Sequence, residues 1–245
     1  MIIYFSATGN CRHVAKTIAR ATDDRAVSME GLDPSIDLAE SEQLGFVAPT
    51  YGWRVPAIVE RFLSGLTLPG ARPSYAFFVS TYGTTPGVAG PFARKALKGK
   101  LGCDLQLFSV KMPDTWTPLF DLSDKARVEQ INREADRQLE AVCRAIAARK
   151  ASPCMNRQAP GFLTPIANAY YESMRKTSSF SVEAHCTGCG LCAKRCPVGA
   201  IRISDGKPEW VTPQCEKCLR CLHYCPQFAI QHGPKTKRHG QYHHR

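Results

Sequence analysis

Eight cysteines fall into two runs of identical spacing: Cys186, Cys189, Cys192 and Cys196 before Pro197, then Cys215, Cys218, Cys221 and Cys225 before Pro226. Steps of three residues let one tight loop present three soft, deprotonated sulfurs to a common centre, and the fourth must come from elsewhere. The proline after each last cysteine keeps the chain from continuing as a helix. Such a sulfur set suits an iron–sulfur cube, which moves single electrons. Zinc is the competing reading, since Cys-x2-Cys pairs also build zinc ribbons, but a third cysteine at the same step is surplus to such a pair. The repeat extends beyond sulfur: Val182, Ala200 and Ile201 recur 29 positions later (211 − 182) as Val211, Ala229 and Ile230.

A second constellation lies near the N-terminus. Residues 1–5 are apolar, Ser6-Ala7-Thr8-Gly9-Asn10-Cys11 follows, and Val14, Ala15, Ile18 and Ala19 then recur at helical spacing. Strand, small polar loop and helix together bind phosphate, because backbone N–H groups and hydroxyls converge on the anion and glycine permits close approach. Further apolar runs at 44–48, 75–80 and 105–110 each lead into a loop and a helical pattern, which predicts a parallel sheet covered on both faces. Residues 122–150 carry Ile131, Ala135, Leu139, Val142 and Ile146 on one stripe, an amphipathic closing helix. Ligands of such sheets sit beyond the carboxyl ends of the strands. The loops 6–11, 49–56 and 80–87 fall there, and the latter two each pair an aromatic with glycine.

These residues resemble known families. Ser6-x-Thr8-Gly9-Asn10 is similar to the phosphate loop of flavodoxins, and the two aromatic loops to the pair that sandwiches their flavin ring. The cysteine runs resemble those of bacterial two-cluster ferredoxins, in which the last cysteine of each run ligates the other cluster. The whole chain thus resembles the flavodoxin–ferredoxin fusion proteins of anaerobes. The resemblance implies a flavodoxin-like, doubly wound, five-stranded parallel sheet in an FMN-binding domain at 1–150, and a linker with a short helix at 151–180. A small α+β ferredoxin domain with two [4Fe–4S] clusters would follow at 181–232, then a basic tail at 233–245. It places the FMN phosphate on Ser6, Thr8, Gly9, Asn10 and Cys11. Pro49, Thr50, Tyr51, Gly52 and Trp53 would form one flavin wall, and Ser80, Thr81, Tyr82 and Gly83 the other. One cluster would use Cys186, Cys189, Cys192 and Cys225, the other Cys215, Cys218, Cys221 and Cys196. Cys11 departs from the pattern, which has Thr or Ser there; a small buried filler is the favoured role over a redox-active thiol. Arg54 is expected to face solvent.

Composition is ordinary for a globular chain, with 44% hydrophobic and 22% charged residues among 245. Outside the runs, Cys11, Cys103, Cys143 and Cys154 are unpatterned, which fits a reducing interior. With neither a signal peptide nor a membrane span in the sequence, the expectation is a cytoplasmic protein. Residues 1–150 hold 19 Lys and Arg against 16 acids and residues 151–245 hold 13 against 5, so the net charge of +11 divides into +3 and +8. Each four-thiolate cluster carries about −2 when oxidised, so two offset about half of the second figure. Compensation of bound negative cofactors is therefore favoured over steering of an acidic partner. The basic residues are dispersed and no nucleic-acid-binding pattern occurs.

Residues 151–162 read as a linker, and Thr164-Pro165 as the start of a helix whose Ile166, Tyr170 and Met174 form the packing stripe. The tail after Gly233 has Lys235, Lys237, Arg238 and Arg245 and no acid, and is expected to be solvated. No Gly-x-Gly-x-x-Gly is present for direct use of NAD(P)H. The expected function is an electron relay between FMN, two clusters and a redox partner protein. The alternative is a reductase in which the clusters feed FMN to reduce a quinone- or tetrapyrrole-like molecule, with His13 and Asp114 as candidate proton donors.

Overall fold

The computed structural model describes residues 1–39, 42–151, 155 and 158–244. Cys154 and Arg245, named above, lie outside the described residues. The N-terminal part alternates strand and helix: β1 (Ile2–Tyr4), α1 (Asn10–Ala21), β2 (Ala26–Ser28), β3 (Gln43–Pro49), α2 (Ala57–Gly65), β4 (Tyr75–Tyr82), α3 (Ala89–Leu97), β5 (Leu105–Lys111) and α4 (Lys125–Ala147). The five strands are parallel in the order β2-β1-β3-β4-β5, the flavodoxin-like winding. Strand β2, three half-buried residues at the sheet edge, has no apolar run to announce it.

Both central strands are buried throughout because helices cover both faces. Alternate residues of β1 divide between two cores: Ile3 joins Phe46, Phe78, Leu63 and Ala93 beneath α2 and α3, while Ile2 joins Phe77, Val14, Ile18 and Leu139 beneath α1 and α4. Gly45 is a packing requirement, since a Cβ there would lie 2.2 Å from the Phe77 ring.

The C-terminal part contains α5 (Thr164–Met174), β6 (Phe180–Val182), α6 (Leu191–Lys194), β7 (Ile201–Ser204), β8 (Lys207–Trp210), α7 (Arg220–His223), β9 (Ile230–His232) and α8 (Thr236–His239). Strand β6 pairs antiparallel with β9, and β7 with β8. The first sequence repeat supplies β6 and β7 and the second β8 and β9, so each pair joins one strand from either repeat. Trp210 stacks on Phe180 at 4.5 Å and closes the small core between them.

Three expectations are corrected here. In α5 the buried residues are Ala167 and Tyr171, whereas Ile166 and Tyr170 are exposed. The inner face is chosen by the Tyr171 hydroxyl, which lies 3.1 Å from the Glu216 carboxylate and accepts the Ala57 N–H at 3.1 Å. Arg54 is buried, not solvent-facing: its guanidinium donates to Asn168 Oδ1 at 2.8 Å and pairs with Glu60. The tail is folded against the body, with Thr236, His239 and Tyr242 buried. His239 Nδ1 lies 2.7 Å from the Thr117 carbonyl, and the Leu122 N–H donates to the His239 carbonyl at 2.8 Å.

Candidate functional site

The three post-strand loops meet at the carboxyl end of the sheet around a cavity of about 290 Å³. Short polar contacts interlock them. Cys11 Sγ lies 3.1 Å from Thr81 Oγ1, Thr50 Oγ1 lies 2.7 Å from Ser80 Oγ, and the Thr50 N–H donates to the Thr81 carbonyl at 2.9 Å. Burial pushes the Cys11 thiol up to about 12, so it stays protonated and serves as a small filler.

Gly52 and Trp53 have φ of 53° and 67°, and Tyr51 and Arg54 exchange backbone hydrogen bonds at 2.7 and 3.2 Å across them. That is a two-residue turn of the type that wants positive φ at both central positions. Tryptophan is costly there, by about 1–2 kcal/mol. The Trp53 carbonyl accepts the Val88 N–H at 2.7 Å, which ties the second loop to the third, and its ring meets Tyr170 at 5.1 Å. Gly83 packs on Asp114 so closely that a Cβ would lie 2.2 Å from it.

The polar loop before α1 is the phosphate-loop candidate, and its chemistry fits an anion. Ser6 Oγ is buried with no hydrogen-bond partner among the described residues. Gly9 precedes α1 in the left-handed region at φ 98°. Three consecutive carbonyls of the loop are engaged from the C-terminal part. Arg220 donates to Ser6 O at 2.8 Å and to Ala7 O at 3.3 Å, and the His244 N–H donates to Thr8 O at 2.7 Å. The Arg220 guanidinium also pairs with Glu30 at 2.6 Å.

The cavity is lined by Ser6, Thr8, Asn10, Cys11, Pro49, Thr50, Tyr51, Gly52, Trp53, Thr81, Tyr82 and Gly83 among the residues expected from sequence. Gly9 and Ser80 are not among the lining residues. Sequence reasoning missed two walls: Trp116, Leu119 and Phe120 after β5, and Lys217, Cys218 and Leu219 of the second cysteine run. The first had the same post-strand position as the other loops but no small polar signature. Asp114 also lines the cavity, accepts the Trp116 N–H at 3.0 Å, and has its pKa raised by burial. His13 does not line it; that ring faces Asp136 at 2.6 Å and stacks on His244 at 4.1 Å.

The cysteines surround two further cavities. Cys186, Cys189, Cys192 and Cys225 border one; Cys196, Cys215, Cys218 and Cys221 border the other. Each set takes three sulfurs from one run and the last from the other, in step with the strand exchange. Among the described residues no three His, Cys, Asp or Glu side chains close on a single ion. Sulfurs set around a hollow fit a polynuclear cluster. The repeated alanines are buried and make equivalent bonds: Ala200 N–H donates to Cys196 Sγ at 3.2 Å and Ala229 N–H to Cys225 Sγ at 3.3 Å. Such bonds favour the charged form of the sulfur.

A flavodoxin-domain family model matches residues 1–141, and a 4Fe-4S dicluster domain model matches residues 185–230. Over 49 residues the chain is 43% identical to a subunit of the ion-translocating oxidoreductase complex of Methanosarcina acetivorans, covering 20% of this chain and 19% of that protein. Over 50 residues it is 30% identical to a ferredoxin-like protein in the nif region of Trichormus variabilis, covering 20% and 43%. The chain thus spans less than half the length of either relative. Among solved structures it is similar to a flavodoxin from the domain Archaea, with TM-score 0.35 and 17% identity over 58% of this chain and 96% of that one. It is also similar to a flavone reductase, with TM-score 0.36 and 12% identity over 91% and 83%. No helix among the described residues is long and apolar enough to cross a membrane. With the flavodoxin-domain model matching more than half of the chain and a 4Fe-4S dicluster domain behind it, the chain belongs to the flavodoxin family and carries a second, 4Fe-4S dicluster domain.

Proposed function

We propose that this protein relays electrons between bound FMN and a redox partner protein through two [4Fe–4S] clusters. One observation carries the reading: Cys218 and Leu219 border both the cavity between the post-strand loops and the cavity of the second sulfur set. Bound FMN accepts two electrons and releases them singly, while each cluster carries one.

Ser6, Thr8, Gly9, Asn10 and the backbone of Cys11 hold the phosphate. Residues 49–53 and 80–83 wall the ring, with Trp53 as the stacking residue. Cys186, Cys189, Cys192 and Cys225 hold the outer cluster; Cys215, Cys218, Cys221 and Cys196 hold the one beside the flavin. Cys189 is exposed and Cys215 buried, which supports a partner docking at the first set. The functional units run 1–150, 151–180, 181–232 and 233–245, with the last serving as a folded element instead of a free tail.

A second reading, reduction of a small quinone- or tetrapyrrole-like molecule, is favoured by Asp114. Its carboxyl sits on the cavity wall with its pKa raised by burial, and it can hold a proton there. Reduction of such a substrate that Asp114→Asn slows while cofactor content holds would favour this reading; equal rates would favour the carrier.

The relay requires one flavin and about eight iron atoms per chain. Acid-released flavin and iron, measured on anaerobically purified protein, test this. About four iron atoms, or no flavin, would sink the proposal.

A further inference from the structure

We propose that the C-terminal residues 241–244 form a strap that fixes the phosphate loop and makes FMN retention depend on the assembled second cysteine run. The inference rests on the FMN reading above.

One end of the strap is anchored on the cysteine run. Gln241 Nε2 donates to the Leu222 carbonyl at 2.6 Å and the Cys225 carbonyl at 2.8 Å. The Tyr242 N–H donates to His223 Nδ1 at 3.2 Å. Both carbonyls also accept a backbone N–H of the run itself, Leu222 from Cys225 at 3.3 Å and Cys225 from Phe228 at 3.0 Å, so Gln241 adds a second donor at each.

The other end lies on the phosphate loop. The Tyr242 hydroxyl is buried 2.8 Å from Asn10 Oδ1 and 3.0 Å from Asn132 Oδ1. The His244 N–H takes the Thr8 carbonyl at 2.7 Å, and a Cβ on Gly9 would lie 2.7 Å from the His244 carbonyl. Gly9 is therefore needed for close approach by the strap as well as for its positive φ.

An anion loop works only if its N–H groups face the ligand, so its carbonyls must point elsewhere. Here Ser6, Ala7 and Thr8 direct their carbonyls to Arg220 and His244, both from the C-terminal part. Arg220 belongs to the second run itself, one residue before Cys221. A cysteine run is ordered by its metal, because such sites are rarely formed beforehand. Ordering the run sets Arg220 and the anchor of the strap, which in turn set the loop. Linkage then requires that flavin occupancy and run assembly favour each other by one common factor.

The test compares the full chain with one ending at Gly240, both cluster-loaded, titrated anaerobically with FMN and with riboflavin, which lacks the phosphate. The expected result is FMN affinity lowered about fivefold or more, within the usual range of such couplings. Riboflavin affinity and iron content should stay unchanged. Removing the clusters with a chelator should weaken FMN more in the full chain than in the shortened one, where Arg220 alone still ties the run to the loop. Should the shortened chain fail to fold, full-length Gln241→Ala and Tyr242→Phe must show the same FMN-selective loss. Equal loss of both flavins, or no loss of either, overturns the strap. If the intact protein binds neither flavin, the FMN reading itself fails.

Discussion

The Glu216 carboxylate and the Tyr171 hydroxyl meet at 3.1 Å, with the Glu216 side chain wholly out of contact with solvent. Between them they cap a helix of the other half. Ala57 N–H donates to the tyrosine oxygen and Ile58 N–H to the carboxylate, each at 3.1 Å, while Arg61 of the same helix pairs with Glu216. Helix α2 begins after Pro56 with no side-chain cap of its own. The loop that carries Trp53 is thus held at its far end by residues from α5 and the second cysteine run.

Tyr171→Phe should lower stability by about 1–3 kcal/mol, because it leaves the Ala57 N–H buried without an acceptor. Urea unfolding of the cofactor-loaded protein measures this. An unchanged midpoint would show that the cap does not hold α2.

Crossed ligation predicts that Cys225→Ala removes the same cluster as Cys189→Ala, and Cys196→Ala the same as Cys218→Ala. Spectra of the reduced variants compare the cluster left in each. Matching of Cys225→Ala with Cys218→Ala would reject the crossing.

Trp53→Gly should act in opposite directions on stability and on flavin. Glycine tolerates the φ of 67° and relieves about 1 kcal/mol of strain, so the fold gains stability. Loss of the ring should weaken FMN about three- to tenfold, the range of one aromatic stacking pair. Thermal melts without flavin and FMN titration read the two effects separately. Unchanged FMN affinity would remove Trp53 from the flavin wall.

His232 makes stability depend on pH. Burial first, and the nearby Lys217 charge second, bring its pKa down to about 4, and neither ring nitrogen has a hydrogen-bond partner among the described residues. The ring packs against Trp116 and Phe180. The unfolded chain, with an ordinary histidine near 6.5, binds the proton more readily. Stability is therefore full above pH 6.5 and declines as pH falls through about 4. His232→Leu should flatten that slope in denaturant melts from pH 7 to 4. A parallel slope in the variant would assign the dependence elsewhere.

The parts legible in sequence were those with a strong local cause. Cysteine spacing, the Ser6–Cys11 loop and the apolar runs of β3 and β4 each state their chemistry within a few residues. What stayed hidden depends on distant partners. Nothing near Arg54 announces that Asn168 and Glu60 will bury its charge, and nothing near Tyr171 announces Glu216. The tail looks solvated because it is polar, yet its polar groups meet the backbone carbonyls of Thr8, Leu222 and Cys225. Polarity alone does not separate a residue facing water from one facing distant backbone carbonyls.

The central claim is that FMN and two clusters work on one chain. An anaerobic reductive titration of the purified, reconstituted protein, followed by absorbance, tests it most directly. The relay predicts uptake of about four electrons per chain, two by the flavin and one by each cluster. Uptake of only about two electrons, with no flavin bands, would mean a flavodoxin fold without its flavin and would contradict the account.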